Sequence, residues 1–212
     1  MNIRNSSRAL LNLKSFVLLI LICQSTILLG QQDPIGSFDH HHDVGDPKMK
    51  GSAVYNKEDQ TYLLSGAGAN VWAKADQFHF VWKKIKGDFI IKATIQFIGK
   101  GTVDHRKIGI MARDKLTTDS RYADACVHGD DLTSLQYRTA DGDSTKQVAV
   151  SVFHPTEIEL ERAGNTFTFS AATRCVKTVT IFIKEFPLSK SLKTSISPLV
   201  KPSLCIPVSI LI

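Results

Sequence analysis

The sequence holds few residues of the kinds that announce a chemistry. Its 212 residues include four cysteines, Cys23, Cys126, Cys175 and Cys205, with no CxxC pair and no repeated spacing. That excludes a zinc-ribbon, a thioredoxin-type redox motif and a disulfide framework. Cys126 reads as a small apolar strand residue. A Cys175–Cys205 bridge is open in an oxidising compartment, but no spacing specifies it. No P-loop, dinucleotide fingerprint or Ser/His/Asp order stands out. No amphipathic helical run follows residue 30, and neither an internal repeat nor a heptad is present. A basic face is also missing, despite a formal net charge of +6. Arg4, Arg8 and Lys14 precede every acid, and from Thr173 onward six basic residues meet only Glu185. This leaves 17 basic against 19 acidic residues between Gln31 and Ala172, a net charge of −2. Nucleic acid is therefore excluded as a partner.

The organisation of the chain follows from composition. Residues 1–30 read as a signal peptide, with a basic start and an apolar run over Ser15–Leu29 too short for a comfortable membrane span. Cleavage is expected after Gly30. An uncleaved anchor is the alternative, and it would be the chain's only membrane contact. A lipid anchor on Cys23 is disfavoured by the bulky Ile22 before it. Export to the periplasm or the exterior follows. Residues 31–42 read as a polar linker, 43–172 as one domain and 173–212 as an atypical tail. That tail has four prolines and no glycine. It is either an unstructured extension or the product of a reading-frame change that replaced the end of the domain.

Within 43–172 the dominant signal is a period of two. Phe89, Ile91, Ala93, Ile95 and Phe97 share one face. Ile108, Ile110 and Ala112 do so in the next segment, and the two segments read as a central hairpin. Gly109, inside the second, predicts a bulge or a close backbone approach. Paired strands are expected around Asn56–Asp59. Ala123, Ala125 and Val127 alternate with Tyr122, Asp124, Cys126 and His128, and Leu135 and Tyr137 with Ser134, Gln136 and Arg138. Ile158 and Leu160 point inward before a turn at Ala163-Gly164-Asn165. Many short strands punctuated by turns predict an all-β, antiparallel two-sheet sandwich or jelly roll.

The strings HHDVGDPKMKGSAVYNKEDQTYLLSGAGANVWAKADQFHFVWKKIKGDFIIKATIQFIG, HRKIGIMARD, HGDDLTSLQYR and IELERAGNTFTF resemble a concanavalin A-like lectin/glucanase jelly-roll domain. The resemblance covers about Asp43 to Ala171. It is to the form found at the N-terminus of exported bacterial TolB-like, biopolymer-transport-related proteins, where a β-propeller commonly follows. It implies a sandwich outside the cytoplasm with glycan contact. Such domains continue with further strands where this chain has its tail, so the sandwich is expected to be incomplete at its C-terminal end unless the tail supplies them. An open sheet edge would then invite aggregation.

Three constellations bear on function. If the middle strands pair in sequence order, Arg113, His128, Gln136 and Arg138 project from one side of a sheet, with Asn70 and Trp72 beside them. Guanidinium and amide groups hydrogen-bond sugar hydroxyls, and an indole stacks on a pyranose face. A glycan or another cell-envelope polymer is the expected partner; an ordinary solvent face or a buried polar network is the alternative. Glu157, Glu159 and Glu161 share one strand face, as do carboxylates in laminarinase-type enzymes. A glycoside hydrolase using Glu157 and Glu161 is thus an alternative, although a solvated strand face explains them more simply. A structural accessory domain of an envelope complex is a second alternative. Asp39-His40-His41-His42-Asp43 reads as part of the polar linker, because adjacent side chains do not converge on a metal. Asp130, Asp131, Asp141 and Asp143 offer oxygens to Ca²⁺ but are better read as solvated turn residues, so no cofactor is expected.

Overall fold

The computed structural model describes residues 35–173 apart from 100 and 102, together with the backbone of 179–183, 191–194 and 206–211. The predicted leader and the Cys175–Cys205 pairing lie outside the described residues. Among the described residues sixteen strands follow in chain order. The first eight are β1 (His40–Val44), β2 (Ser52–Asn56), β3 (Thr61–Ser65), β4 (Val71–Trp72), β5 (Ala75–Asp76), β6 (Phe78–Lys86), β7 (Phe89–Ile98) and β8 (Lys107–Arg113). Then come β9 (Tyr122–His128), β10 (Thr133–Arg138), β11 (Lys146–Val150), β12 (Glu157–Ala163), β13 (Thr166–Ala172), β14 (Val179–Ile183), β15 (Ser191–Thr194) and β16 (Ile206–Leu211).

Two seven-stranded sheets carry the fold. The first runs β1-β6-β15-β8-β9-β10-β11 and the second β14-β13-β12-β7-β16-β3-β2, while β4 and β5 form a small ribbon. Pairing is antiparallel except where β16 lies parallel to both β3 and β7. The alternating residues explain why the sheets stack. Phe89, Ile91, Ala93 and Ile95 of β7, Ile158 and Leu160 of β12, and Phe167 and Phe169 of β13 join one buried cluster. From the first sheet it takes Ile108, Ile110, Ala112, Ala123, Ala125, Val127 and Leu135. Each large side chain so buried contributes roughly 1.5–3 kcal/mol. The protein is an all-β, two-sheet sandwich.

Several expectations change. β7 and β8 are not a hairpin: they belong to different sheets, and their apolar faces meet across the core. A period of two assigns faces but not hydrogen-bonding partners. Residues 40–42 lie in β1, paired with Trp82–Phe80 of β6, not in a linker. β11, whose inward alternation is confined to Val148 and Val150, escaped the sequence reading. In the tail, β14 extends the second sheet beside β13, and β15 and β16 take interior positions in the two sheets. These three segments are thus not an unstructured extension. Gly109 marks a close approach: a Cβ there would lie 2.6 Å from both the Ala125 carbonyl oxygen and Asp124 Oδ1.

Candidate functional site

The outer face of the first sheet carries the polar half of the alternation. Register aligns Arg113 with Tyr122 and Arg138, Met111 with Asp124 and Gln136, and Lys107 with His128. The predicted sequence-order pairing of these strands holds, and it does bring Arg113, His128, Gln136 and Arg138 onto one side. All four are nonetheless buried, and Trp72 is partly exposed.

Arg113 and Arg138 do not form an open binding face. Both have fully buried side chains that share the Asp76 carboxylate. Arg138 grips it through two bonds of 2.9 Å, and Arg113 Nη1 reaches Oδ2 at 3.3 Å. The remaining guanidinium hydrogens satisfy backbone carbonyls of the surrounding loops. Arg138 donates to Ala73, Ser120 and Asp143, and Arg113 to Lys115 and Thr117. Phe78 lies under Arg113 and Tyr122 under Arg138. Of the sequence alternatives, the buried network is the one seen. Removing one partner from such a network typically costs about 3–5 kcal/mol, because a desolvated charge is left alone.

Beyond this clasp lies a cavity of about 370 Å³ between β6 and β8. β15 joins these strands only at Lys83–Lys86 and Ala112–Arg113. Farther along, Phe78–Val81 of β6 and Lys107, Gly109, Ile110 and Met111 of β8 line the cavity, with no intervening strand among the described residues. Phe78, Phe80, Met111 and Tyr62 give it apolar walls, and Asn70, His79, Lys107 and Asp124 add polar groups. Lys107 Nζ donates to Asn70 Oδ1 at 2.6 Å and the Val71 carbonyl at 2.7 Å, and lies 5.6 Å from the centre of the Trp72 ring. Burial lowers the Lys107 pKa.

Asp124 is the residue the sequence reading passed over. Burial pushes its pKa up to about 7, opposed by the Lys107 ammonium. A neutral carboxylic acid on the wall can donate as well as accept a hydrogen bond. Its sequence signal was weak, a lone acid alternating with Tyr122 and Cys126. Cys126 is a free, buried thiol whose pKa burial raises, with the Asp124 charge adding to the effect.

At the other end of β9, His128 is held neutral: its pKa falls to about 4 through burial, helped by the Lys107 charge. Gln136 Nε2 lies 3.1 Å from His128 Nε2 and 2.9 Å from Gln147 Oε1. Gln136 Oε1 and Ser134 Oγ are buried without a partner among the described residues.

The other constellations fall elsewhere. Glu157, Glu159 and Glu161 lie on the outward face of β12 in the second sheet, while Ile158 and Leu160 face the core. Lys92 Nζ pairs with Glu157 at 2.6 Å. Burial raises the Glu159 pKa, against the Lys92 charge. Asp141 pairs with Lys115 and accepts a hydrogen bond from the Arg121 amide. Asp131 pairs with His154 at 2.7 Å. His41 Nδ1 lies 3.1 Å from His79 Nε2, and His79 Nδ1 meets Asp43 at 2.8 Å. His40 and His42 pack on Trp82.

Comparison with protein-family models and with curated proteins gives no match. Among solved structures, the chain is similar to the enzymatically active domain of tailspike protein 2 of bacteriophage CBA120. The identity is 12% and the TM-score 0.42, over 82% of this chain and 27% of that one. A likeness so slight leaves the fold and function to be argued from the residues themselves.

Proposed function

We propose that this chain is an exported, non-catalytic recognition domain that binds carbohydrate or a related cell-envelope polymer in the cavity between β6 and β8. In this reading the sandwich is a jelly roll of the concanavalin A-like, TolB-associated kind. The observation that carries the proposal is the cavity itself: apolar walls with a few fixed polar groups, beside a partly exposed indole. Such a combination suits a ligand with alternating apolar faces and hydroxyls. Trp72 supplies the stacking platform, Asn70 and Lys107 the fixed polar edge, and Asp124 a buried carboxyl to hydrogen-bond a hydroxyl. Arg113 and Arg138 act indirectly, by holding the β4–β5 ribbon that carries Trp72 and Asp76.

Binding is favoured over hydrolysis because glycosidases use two carboxyls flanking the scissile bond. Asp124 is the only acid on the cavity wall among the described residues, and the Glu157–Glu161 face belongs to the other sheet. Retention of the full chain on immobilised envelope polysaccharides and on a glycan array tests the proposal. At least one glycan should bind, and Trp72→Ala and Asp124→Asn should each weaken it at least tenfold. A blank array alongside recovery of an envelope protein in a pull-down would replace the proposal with a scaffold role.

A further inference from the structure

His105, His128 and Asp130 come together where the connection after β7 meets the turn after β9. Each offers one ligand-type atom, and the three atoms lie within 4.8 Å of one another. His105 Nδ1 is 3.4 Å from His128 Nδ1 and 3.3 Å from Asp130 Oδ2, and His128 Nδ1 is 4.0 Å from Asp130 Oδ1. In a tetrahedral zinc site with bonds of about 2.0–2.2 Å, neighbouring ligand atoms sit roughly 3.3–3.5 Å apart. The two distances from His105 Nδ1 already have that length, and the 4.0 Å from His128 Nδ1 is to the other oxygen of the same carboxylate.

The far side of His128 is also built. Gln136 is fully buried, and its amide end lies 3.1 Å from His128 Nε2. The oxygen and nitrogen of an amide exchange places by a half-turn, and with the oxygen toward His128 the ring carries its hydrogen on Nε2 and a lone pair on Nδ1. Histidine ligands of metals characteristically donate their other ring hydrogen to an oxygen in this way, which fixes the tautomer.

We infer that His105 Nδ1, His128 Nδ1 and the Asp130 carboxylate form a binding site for a divalent transition metal of the zinc class. Three protein ligands leave a fourth position for water or a ligand atom. His105 also lines the cavity, so the ion would lie beside it. This goes beyond the glycan reading and does not depend on it, because metal binding is read without any sugar.

The test is calorimetric titration of the full chain, free of any histidine tag, with ZnCl₂, and the visible absorption of the same protein with CoCl₂. One Zn²⁺ per chain should bind, and Co²⁺ should give the intense visible bands of tetrahedral coordination. His105→Ala and Asp130→Asn, both at accessible side chains, should each weaken that binding at least 100-fold. Gln136→Leu should weaken it about 10–100-fold, as loss of an outer hydrogen bond to a ligand does. Circular dichroism checks that each variant stays folded. Absence of Zn²⁺ binding, or binding left intact in both His105→Ala and Asp130→Asn, as it would be if the ion sat at His40–His42, overturns the inference.

Discussion

At the scale of single residues, the informative groups are charged side chains taken out of water. Asp124 is the sharpest case. In the unfolded chain its carboxyl titrates near 3.8, and in the folded protein near 7. Between those values the folded state holds a proton that the unfolded state has released. Stability therefore falls as pH rises from about 4 to about 7, by at most about 1.4 kcal/mol per pH unit from this group, and then levels off. Asp124→Asn removes the dependence. Urea denaturation should show the variant gaining stability over the parent at pH 8 and little or nothing at pH 4; an equal difference at both would disprove the assignment. The Asp76 clasp is the other case, a buried carboxylate that accepts hydrogen bonds from two guanidinium groups.

At the scale of elements, β8 and β9 set the geometry of the site, and Gly109 sets their spacing. Alanine at this position drives a methyl group against the Ala125 carbonyl and Asp124. Overpacking of this kind typically costs about 1–3 kcal/mol. Gly109→Ala should lower the denaturation midpoint accordingly and displace Asp124 from the cavity wall, so glycan binding should weaken with it. Full stability in this variant would mean that the strands can separate freely. These same strands show what the sequence could reveal. Alternation in Lys107–Arg113, Ser120–His128 and Leu135–Arg138 identified both the inward residues and the polar face. It did not disclose that the polar face is covered. That depends on Asp76, which arrives from a two-residue strand with no periodicity of its own. Nor could spacing find His105 with His128 and Asp130, since their meeting depends on a turn and a connection crossing between sheets. The triple histidine was conspicuous in the sequence, yet its members are divided between the two faces of β1.

At the scale of the molecule, the tail is structural. β15 sits between β6 and β8, and β16 between β7 and β3. Deleting 173–212 removes an interior strand from each sheet as well as β14. The truncated chain should lose its cooperative urea transition and bind the hydrophobic dye ANS, as compact states without fixed packing do. A sharp transition in the truncated chain would show that 35–172 closes the sandwich unaided.

The position of β15 and β16 also bears on how the protein is made. The ribosome emits a chain from its N-terminus, and these two strands emerge after every strand they separate. Neither sheet can reach its final order until residues 191–211 have emerged, and until then β6 and β8, like β3 and β7, lack the strand that separates them. That delay leaves each sheet open at its middle until a strand from far along the chain has closed it.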